Sequence, residues 1–360
     1  MTRNSDRDLP PEGKGPGAQI EGPQLDRRRY IDTVSYSSRL RGRAILLGEE
    51  KLLIARLSGS EQEKDLSAPV NCRGYGRVRH FRLQRYDDWS PNPLPILPAA
   101  AALHHSSHDG LRAQVFQNAA CNWRCWYCYV DFDRLAADLR VSDYFTADEL
   151  LDLYLAEPDR PRVIDLTGGQ PELVPEWVLW MMRALRRRGL DETTFLWSDD
   201  NLSNRYFWEY LSSADRREIA QYPKYARVGC FKGFDPTSFA FNTAAAPELF
   251  EEQFEIFRRL LHEGLDLYAY VTFTAPPSAG LGGAVRDFVD RLQHVHPNLP
   301  LRVVPLKIDV FTPTNHRMTG ERTRALEFQH EVHAAWVGEL ARRFTEAERA
   351  MPINEVELRS

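Results

Sequence analysis

The sequence predicts an α/β protein whose parallel sheet curls into an open, partial (βα)6 barrel. Six strand-like apolar runs, separated by amphipathic helical stretches, occupy most of the chain after residue 111. Strand-then-helix units with short connections force a parallel sheet with right-handed crossovers. Six units are fewer than the eight of a closed barrel, so the sheet should stay open. The alternative is a doubly wound sheet, but no Gly-x-Gly-x-x-Gly fingerprint follows the first strand.

The elements of this barrel follow from apolar periodicity. The strands are predicted at 112–118, 162–167, 193–198, 226–231, 266–274 and 301–306. The helices are predicted at 146–156, 175–188, 204–221, 247–262 and 281–294, with a last one at about 320–349. Thr146, with Glu149 three residues later, has the pattern of a capping box at a helix start. Active sites in such folds lie at the carboxyl ends of the strands.

The chain divides into four predicted segments. Residues 1–29 mix charge with Pro and Gly and should form a disordered tail. Residues 30–110 should form a small, β-rich N-terminal accessory region. Within it, four prolines between residues 89 and 98 argue against a helix and favour an extended strap. Residues 111–350 form the predicted barrel, and 351–360 a C-terminal tail.

A cluster of arginines lies in the accessory region. If this segment is a strand, Arg73, Arg77 and Arg79 lie on one face. A solvated edge is one interpretation of that face. The other is an anion clamp for a phosphorylated or carboxylated partner, placed near the barrel mouth.

Composition bears on several functional classes. The chain has 360 residues, 43% of them hydrophobic, which is enough for one large core. A net charge of -5 gives no general attraction to nucleic acid, and no apolar run is long enough for a membrane span. The N-terminus lacks the apolar core of a signal peptide, and five cysteines, three of them clustered, do not form a disulfide framework. The predicted location is therefore a reducing cytoplasm.

Cys121, Cys125 and Cys128 are the strongest sign of chemistry in the sequence. Three and then two intervening residues let one loop direct all three sulfurs at a single object, and thiolates are soft ligands for iron or zinc. A structural zinc takes four ligands, but Cys72 and Cys230 lie far away as singletons. A [4Fe–4S] cluster held by three cysteines keeps one iron open for another ligand. Half of a zinc site, or three cysteines in an ordinary loop, are the alternatives.

This Cys-x-x-x-Cys-x-Tyr-Cys pattern resembles the signature of the radical S-adenosylmethionine (radical SAM) superfamily. The resemblance implies the same partial barrel, with the cysteine loop just after its first strand. It also implies that S-adenosylmethionine binds the open iron, with Tyr127 near the adenine, and is reductively cleaved to a 5′-deoxyadenosyl radical that abstracts hydrogen. A reductant such as flavodoxin or ferredoxin is implied as well. Because no further paired cysteines follow, we expect a single cluster.

Two glycines follow the second predicted strand. The run Thr-Gly-Gly-Gln-Pro, with Gly168, Gly169 and Gln170 at its centre, would let the backbone approach a ligand closely. It is similar to the Gly-Gly-Glu-Pro element whose backbone holds the methionine amino group in radical SAM enzymes. Here Gln170 replaces the glutamate, so backbone contacts are expected but a carboxylate contact is not. A simple tight turn is the alternative.

Polar residues also end the third predicted strand. Ser198 and Asp199 are best placed to bind ribose hydroxyls or the methionine end of the cofactor. An Asx turn or a helix N-cap explains the next two residues, Asp200 and Asn201, equally well.

The fourth and sixth strands end with lysines. The segment around Cys230 and Lys232 resembles the Asp-x-Lys element of glycyl-radical-enzyme activases, with the cysteine where the aspartate would stand. Lys232 is predicted to pair with the S-adenosylmethionine carboxylate or with a substrate. Lys307 and Asp309 should lie near the mouth, on one face of the sixth strand if it runs that far.

These patterns leave two functional classes. The first is a radical SAM enzyme that acts on an unidentified small-molecule, peptide or protein substrate. The second is a non-catalytic or electron-transferring iron–sulfur protein. The glycine turn and the polar strand ends favour the first class, because an electron carrier needs no site for a nucleoside cofactor.

Overall fold

The protein is described here by a computed structural model covering residues 30–83, 88–105 and 110–358. The disordered tail predicted at 1–29 lies outside the described residues. None of the helices within these ranges is both long enough and apolar enough to cross a membrane.

The described residues form ten strands and twelve α-helices. The strands are β1 (Ile45–Leu46), β2 (Lys51–Ala55), β3 (Gly76–Arg82), β4 (Gly110–Gln117), β5 (Ser142–Thr146), β6 (Val163–Thr167), β7 (Phe195–Asp200), β8 (Tyr225–Phe231), β9 (Leu267–Thr272) and β10 (Val303–Leu306). The helices are α1 (Thr33–Ala44), α2 (Ile96–Ala102), α3 (Ala147–Leu155), α4 (Glu176–Arg187), α5 (Tyr206–Tyr210), α6 (Ser213–Ala220), α7 (Pro236–Thr243), α8 (Leu249–His262), α9 (Leu281–Val295), α10 (Thr312–Asn315), α11 (Gly320–Arg343) and α12 (Glu346–Arg349).

A seven-stranded sheet with the order β10-β9-β8-β7-β6-β4-β3 forms the centre of the fold. Adjacent strands are parallel from β10 to β4, and β3 pairs antiparallel with β4. The fold is thus mixed α/β, with the sheet curled into a half-barrel. β3 lies within the predicted accessory region, but in the structure it extends the main sheet through seven residue pairs with β4.

The two faces of this sheet contact different cores. Leu166 and Leu196 lie in the large apolar cluster on the helix-facing side. Trp197 and Val228 belong to a second cluster, on the concave side. Because side chains alternate along a strand, the strand register shows which polar residues point into the half-barrel.

The accessory region is mixed rather than β-rich. It begins with α1, whose N-cap Asp32 accepts a hydrogen bond from the Ser35 N–H at 3.1 Å. Arg41 of α1 forms a buried ion pair with Glu176 of α4 at 2.5 Å. β1 and β2 form a small sheet with β5, which belongs to the barrel segment of the sequence. The region is therefore joined to the barrel through a shared sheet.

The predicted strap is correct only in its first half, because α2 begins within it. Pro98 is the third residue of α2, in the first turn, where backbone N–H groups have no intrahelical partner and proline is tolerated. The residues before α2 do cross the sheet. The Trp89 indole N–H donates to the Pro305 carbonyl at 3.0 Å, and the Asn92 amide donates to the Tyr270 hydroxyl at 3.3 Å.

Two stretches predicted as single helices are each divided by a new cap. Ser212 starts α6 through a capping box with Asp215, which separates α6 from α5. Thr345 does the same for α12 after α11. The predicted C-terminal tail packs onto the fold over residues 351–358, where Leu358 is buried.

Candidate functional site

The cysteine loop follows β4 and reaches the carboxyl ends of other strands. The Ala120 carbonyl accepts a hydrogen bond from the Gln170 N–H, just after β6, at 2.7 Å. The Tyr127 hydroxyl shares a hydrogen bond with the Thr272 hydroxyl, at the end of β9, at 3.0 Å. The Trp126 indole N–H donates to the Asn242 side-chain oxygen, in α7, at 3.1 Å. The loop is therefore fixed at the edge of the sheet where active sites of such folds lie.

Two tryptophans anchor this loop between its cysteines. Trp123 and Trp126 are each only 1% exposed. Cys121, Cys125 and Cys128 are half-buried, and none of them is in a disulfide. Large apolar anchors that alternate with the cysteines hold the loop against the core, while the cysteines themselves are only half-buried.

The environment of the thiols combines burial with positive charge. Burial raises the pKa of the Cys125 thiol to about 12, while Lys232 opposes this effect. Burial also raises the pKa of Cys128. Metal binding here would therefore have to displace the thiol protons. Within the described ranges, no group of three or more His, Cys, Asp or Glu side chains is arranged to hold a single metal ion, so the ligand set rests on the spacing of the cysteines.

Arg317, after α10, contacts the same loop and had no signal in the sequence. It donates to the Cys128 carbonyl at 2.5 Å and to the Val130 carbonyl at 2.9 Å. Its guanidinium lies 3.7 Å from the centre of the Phe132 ring. One half-buried cation therefore fixes the conformation of the loop just after its third cysteine.

The two glycines after β6 approach the cysteine loop itself. A Cβ on Gly169 would lie 2.3 Å from the Ala120 carbonyl oxygen and 2.4 Å from that of Asn118. Gly168 has a φ of +91°, and a Cβ there would lie 1.9 Å from the Gln117 side chain. Both glycines therefore approach protein atoms just before Cys121, whereas the predicted close approach to a ligand stays a prediction.

Gln170 and Ser198 make hydrogen bonds within the protein. The Gln170 amide donates to Asp200 at 2.7 Å and its oxygen accepts from the Asn201 N–H at 2.9 Å. The Ser198 hydroxyl is fully buried and bonds to the Tyr225 hydroxyl at 2.7 Å, on the helix-facing side. These two predicted cofactor contacts therefore do not point into the half-barrel.

Asp199 has the opposite orientation to Ser198. It is half-buried and accepts a hydrogen bond from the Thr167 hydroxyl. Burial raises its pKa, while the bond from Thr167 and the charges of Arg79 and Lys232 lower it. Of the two residues predicted at the end of this strand, Asp199 is the one beside the site.

Lys232 lies close to the cysteine loop. Burial alone lowers its pKa, but the neighbouring Cys230, Tyr127 and Cys125 groups raise it well above its ordinary value. Among the described residues, no carboxylate lies within ion-pairing distance of its ammonium group. A half-buried cation without an acidic partner can bind the carboxylate of a ligand.

Two further residues were missed as site residues. Asp165 of β6 is 1% exposed and shares the concave face with Asp199. A charged residue inside an apolar strand was a visible signal, since aspartate is rarely buried without a function or a partner. Asn201 was interpreted as a turn residue, but its amide lies 3.9 Å from the Cys121 sulfur. An amide donor at this position can tune a metal-bound thiolate.

The chain was compared with protein-family models and with curated proteins. No protein-family model matches the chain. The chain is similar to the 7-carboxy-7-deazaguanine synthase of Methanothermobacter thermautotrophicus, with 24% identity over 197 residues, which are 54% of this chain and 74% of the synthase. This likeness supports the radical SAM superfamily. Nothing in it favours the activase-like subtype, which stays a prediction.

Among solved structures, the chain is similar to SuiB of Streptococcus suis. The match to SuiB bound to its precursor peptide SuiA has a TM-score of 0.36 and 14% identity, and covers 50% of this chain and 36% of that chain. The match to SuiB alone has a TM-score of 0.33 and 15% identity, and covers 49% and 35%. The chain thus spans about a third of the length of SuiB, and similarity at this level supports no further conclusion.

Proposed function

We propose that this protein is a radical SAM enzyme that holds one [4Fe–4S] cluster on Cys121, Cys125 and Cys128. When bound, the cluster would supply the electron that cleaves S-adenosylmethionine to a 5′-deoxyadenosyl radical, which takes hydrogen from the substrate. The observation that carries the proposal is the loop itself, in which three half-buried, unpaired cysteines alternate with two buried tryptophans at the carboxyl ends of a parallel sheet. Three soft ligands fit a cluster with one open iron better than a structural zinc, which takes four.

The residues around the loop can bind and orient the cofactor. Lys232 offers a cation to its carboxylate, and Asp199 offers a hydrogen-bond acceptor to its ribose hydroxyls. Tyr127 is held in place by Thr272, so its ring has a fixed position for packing against an adenine. The half-buried backbone of Gly168 and Gly169 would face the amino group. Gln170 and Ser198 would not contact the cofactor and would hold the strand ends in place through their hydrogen bonds within the protein.

The first experiment measures the metal content. The protein is reconstituted anaerobically with iron and sulfide, and iron, sulfide and zinc are measured per chain. We expect four irons and four sulfides for one [4Fe–4S] centre. Stoichiometric zinc without sulfide after anaerobic handling would overturn the proposal. An external reductant, such as flavodoxin or ferredoxin, is part of the proposal, and dithionite replaces it in the assay.

A further inference from the structure

Four ionisable side chains lie on the concave face of the half-barrel. In the register of the sheet, Arg77 aligns with Val115, which aligns with Asp165 on the next strand. Arg79 lies two residues further along β3 on the same face, and Asp199 lies on the same face of β7. The β3 arginines and the β6 and β7 carboxylates therefore face one interior, below the cysteine loop.

These side chains share the interior without forming ion pairs. Among the described residues, neither Arg77 nor Arg79 has a carboxylate within 4.0 Å. Arg77 is 6% exposed, and its Nε has no hydrogen-bond partner. Asp165 is 1% exposed, and its Oδ1 has none either. Buried polar atoms without partners cost free energy, so such a pair of atoms indicates a site for a ligand.

Arg77 also contacts the cysteine loop. Arg77 donates a hydrogen bond to the Tyr129 hydroxyl at 2.7 Å, and Tyr129 directly follows Cys128 in the chain. The Arg79 guanidinium lies 4.3 Å from the centre of the Phe81 ring. A group bound by these guanidiniums would lie in the same interior as a reactant formed at the loop.

A cavity at the gap between β3 and β10 reaches this group of side chains at Arg79. Its volume is about 590 Å³, and Arg79 lines it together with Trp89, Asn92, Leu94 and Lys307. Cavities of this size accept small molecules. Trp89 and Leu94 are buried apolar residues of its wall, and Arg79 offers a fork of N–H donors to an oxyanion.

We propose that the substrate of this enzyme is a small molecule with a carboxylate or phosphate group, which Arg79 and Arg77 bind inside the half-barrel. Arginine suits this role because its planar fork binds either oxyanion in a bidentate manner. Asp165 faces the same interior and can bind an N–H or O–H group of the same molecule. That the bound molecule is a substrate rests on the proposed function, but the anion site itself can be tested separately.

The test uses three ligands with the same ring. Benzoate, phenyl phosphate and the uncharged benzyl alcohol are titrated into the reconstituted, anaerobic protein, and binding is measured by calorimetry. We expect one of the two anions to bind at least tenfold more tightly than benzyl alcohol. The tighter anion distinguishes carboxylate from phosphate.

Variants then locate the site. Arg79→Gln should weaken binding of the preferred anion at least tenfold, and Arg79→Lys should weaken it less, because the charge remains while the fork is lost. Arg73→Gln is the matched control, since Arg73 belongs to the same segment but is exposed in a turn before β3. It should bind the anion as the unmodified protein does. Circular dichroism verifies that each variant is folded, and Arg79→Lys keeps the test valid if Arg79→Gln does not fold.

The outcomes separate this inference from the proposed function. Equal binding of all three ligands, or equal weakening by Arg79→Gln and Arg73→Gln, overturns the anion site. If the anion binds through Arg79 but the protein does not cleave S-adenosylmethionine, the proposed function is wrong while the anion site stands. If cleavage occurs and neither anion binds, the substrate class is wrong and the function stands.

Discussion

Replacing Gly169 with alanine should displace the cysteine loop and reduce the amount of cluster bound. The new Cβ would lie 2.3 Å from one backbone oxygen and 2.4 Å from another, and real Cβ contacts stay above 3.0 Å. The loop or the β6 end must therefore move by about 0.7 Å, at a cost of about 1–3 kcal/mol for overpacking. Because the clash is with Ala120, next to the first cysteine, the ligands themselves are displaced.

The assay measures two quantities on the Gly169→Ala protein. Iron and sulfide per chain are determined after anaerobic reconstitution, and the melting temperature is determined without the cluster. We expect lower iron and sulfide content and a lower melting temperature. Gly338→Ala in α11 is the matched control, because a Cβ there has no neighbour within 4 Å and alanine favours a helix. Full cluster content and an unchanged melting temperature for Gly169→Ala would refute this reasoning.

Three further predictions concern charged residues. Arg317→Met should speed the loss of cluster absorbance in the presence of a chelator several-fold. The reason is that the loop carbonyls lose their hydrogen-bond donor, which costs about 1–3 kcal/mol of stabilisation. Arg324→Met, a change at an exposed arginine, should leave the rate unchanged. Lys232→Gln should weaken S-adenosylmethionine binding about 10- to 100-fold in calorimetry, whereas Lys224→Gln, distant from the loop, should not. Asp165→Asn should raise the melting temperature relative to the unmodified protein more at pH 9 than at pH 5.

The sign of the last effect follows from the pKa of Asp165. Burial, and then the nearby Asp199 carboxylate, raises this pKa to about 8, against the lowering effect of Arg79 and Arg77. The folded state therefore holds the proton more tightly than the unfolded state, whose pKa is near 4. The unmodified protein therefore loses stability as pH rises from about 4 through about 8. An asparagine does not titrate, so Asp165→Asn has no such loss at this position and its advantage in melting temperature is larger at pH 9 than at pH 5.

Each of these three predictions has a contrary result. Equal chelator sensitivity of Arg317→Met and Arg324→Met would show that the arginine does not hold the loop. Unchanged cofactor affinity in Lys232→Gln would remove this lysine from the proposed site. A melting-temperature difference for Asp165→Asn that is the same at both pH values would mean that the carboxyl titrates normally.

The parts of the fold that depend on local pattern could be predicted from the sequence. The strands from β4 to β10 in the main sheet were located because each is a short, continuous apolar run between helical stretches. β5 was missed because it pairs with β2, about ninety residues earlier, and no local pattern encodes such a pairing. The division of α5 from α6 depends on Ser212, whose capping pattern was present but not recognised.

The site residues divide in the same way, into those that a local motif identifies and those that only the folded structure identifies. The cysteine spacing and the glycine pair are contiguous motifs, so the sequence was enough to single them out. Ser198 and Asp199 are adjacent, and only the register showed that Asp199 points inward. Arg317 could not be found, because it reaches the loop from nearly two hundred residues away through backbone carbonyls, which leave no mark on the sequence.

The central claim is that the three clustered cysteines support cleavage of S-adenosylmethionine. The most direct measurement is the amount of 5′-deoxyadenosine formed when the anaerobically reconstituted protein receives S-adenosylmethionine and dithionite. We expect 5′-deoxyadenosine from the unmodified protein and from Cys72→Ala, whose cysteine is a buried singleton, and none above background from Cys125→Ala. No 5′-deoxyadenosine from a protein with a full complement of iron and sulfide, or equal amounts from Cys125→Ala, would contradict the claim.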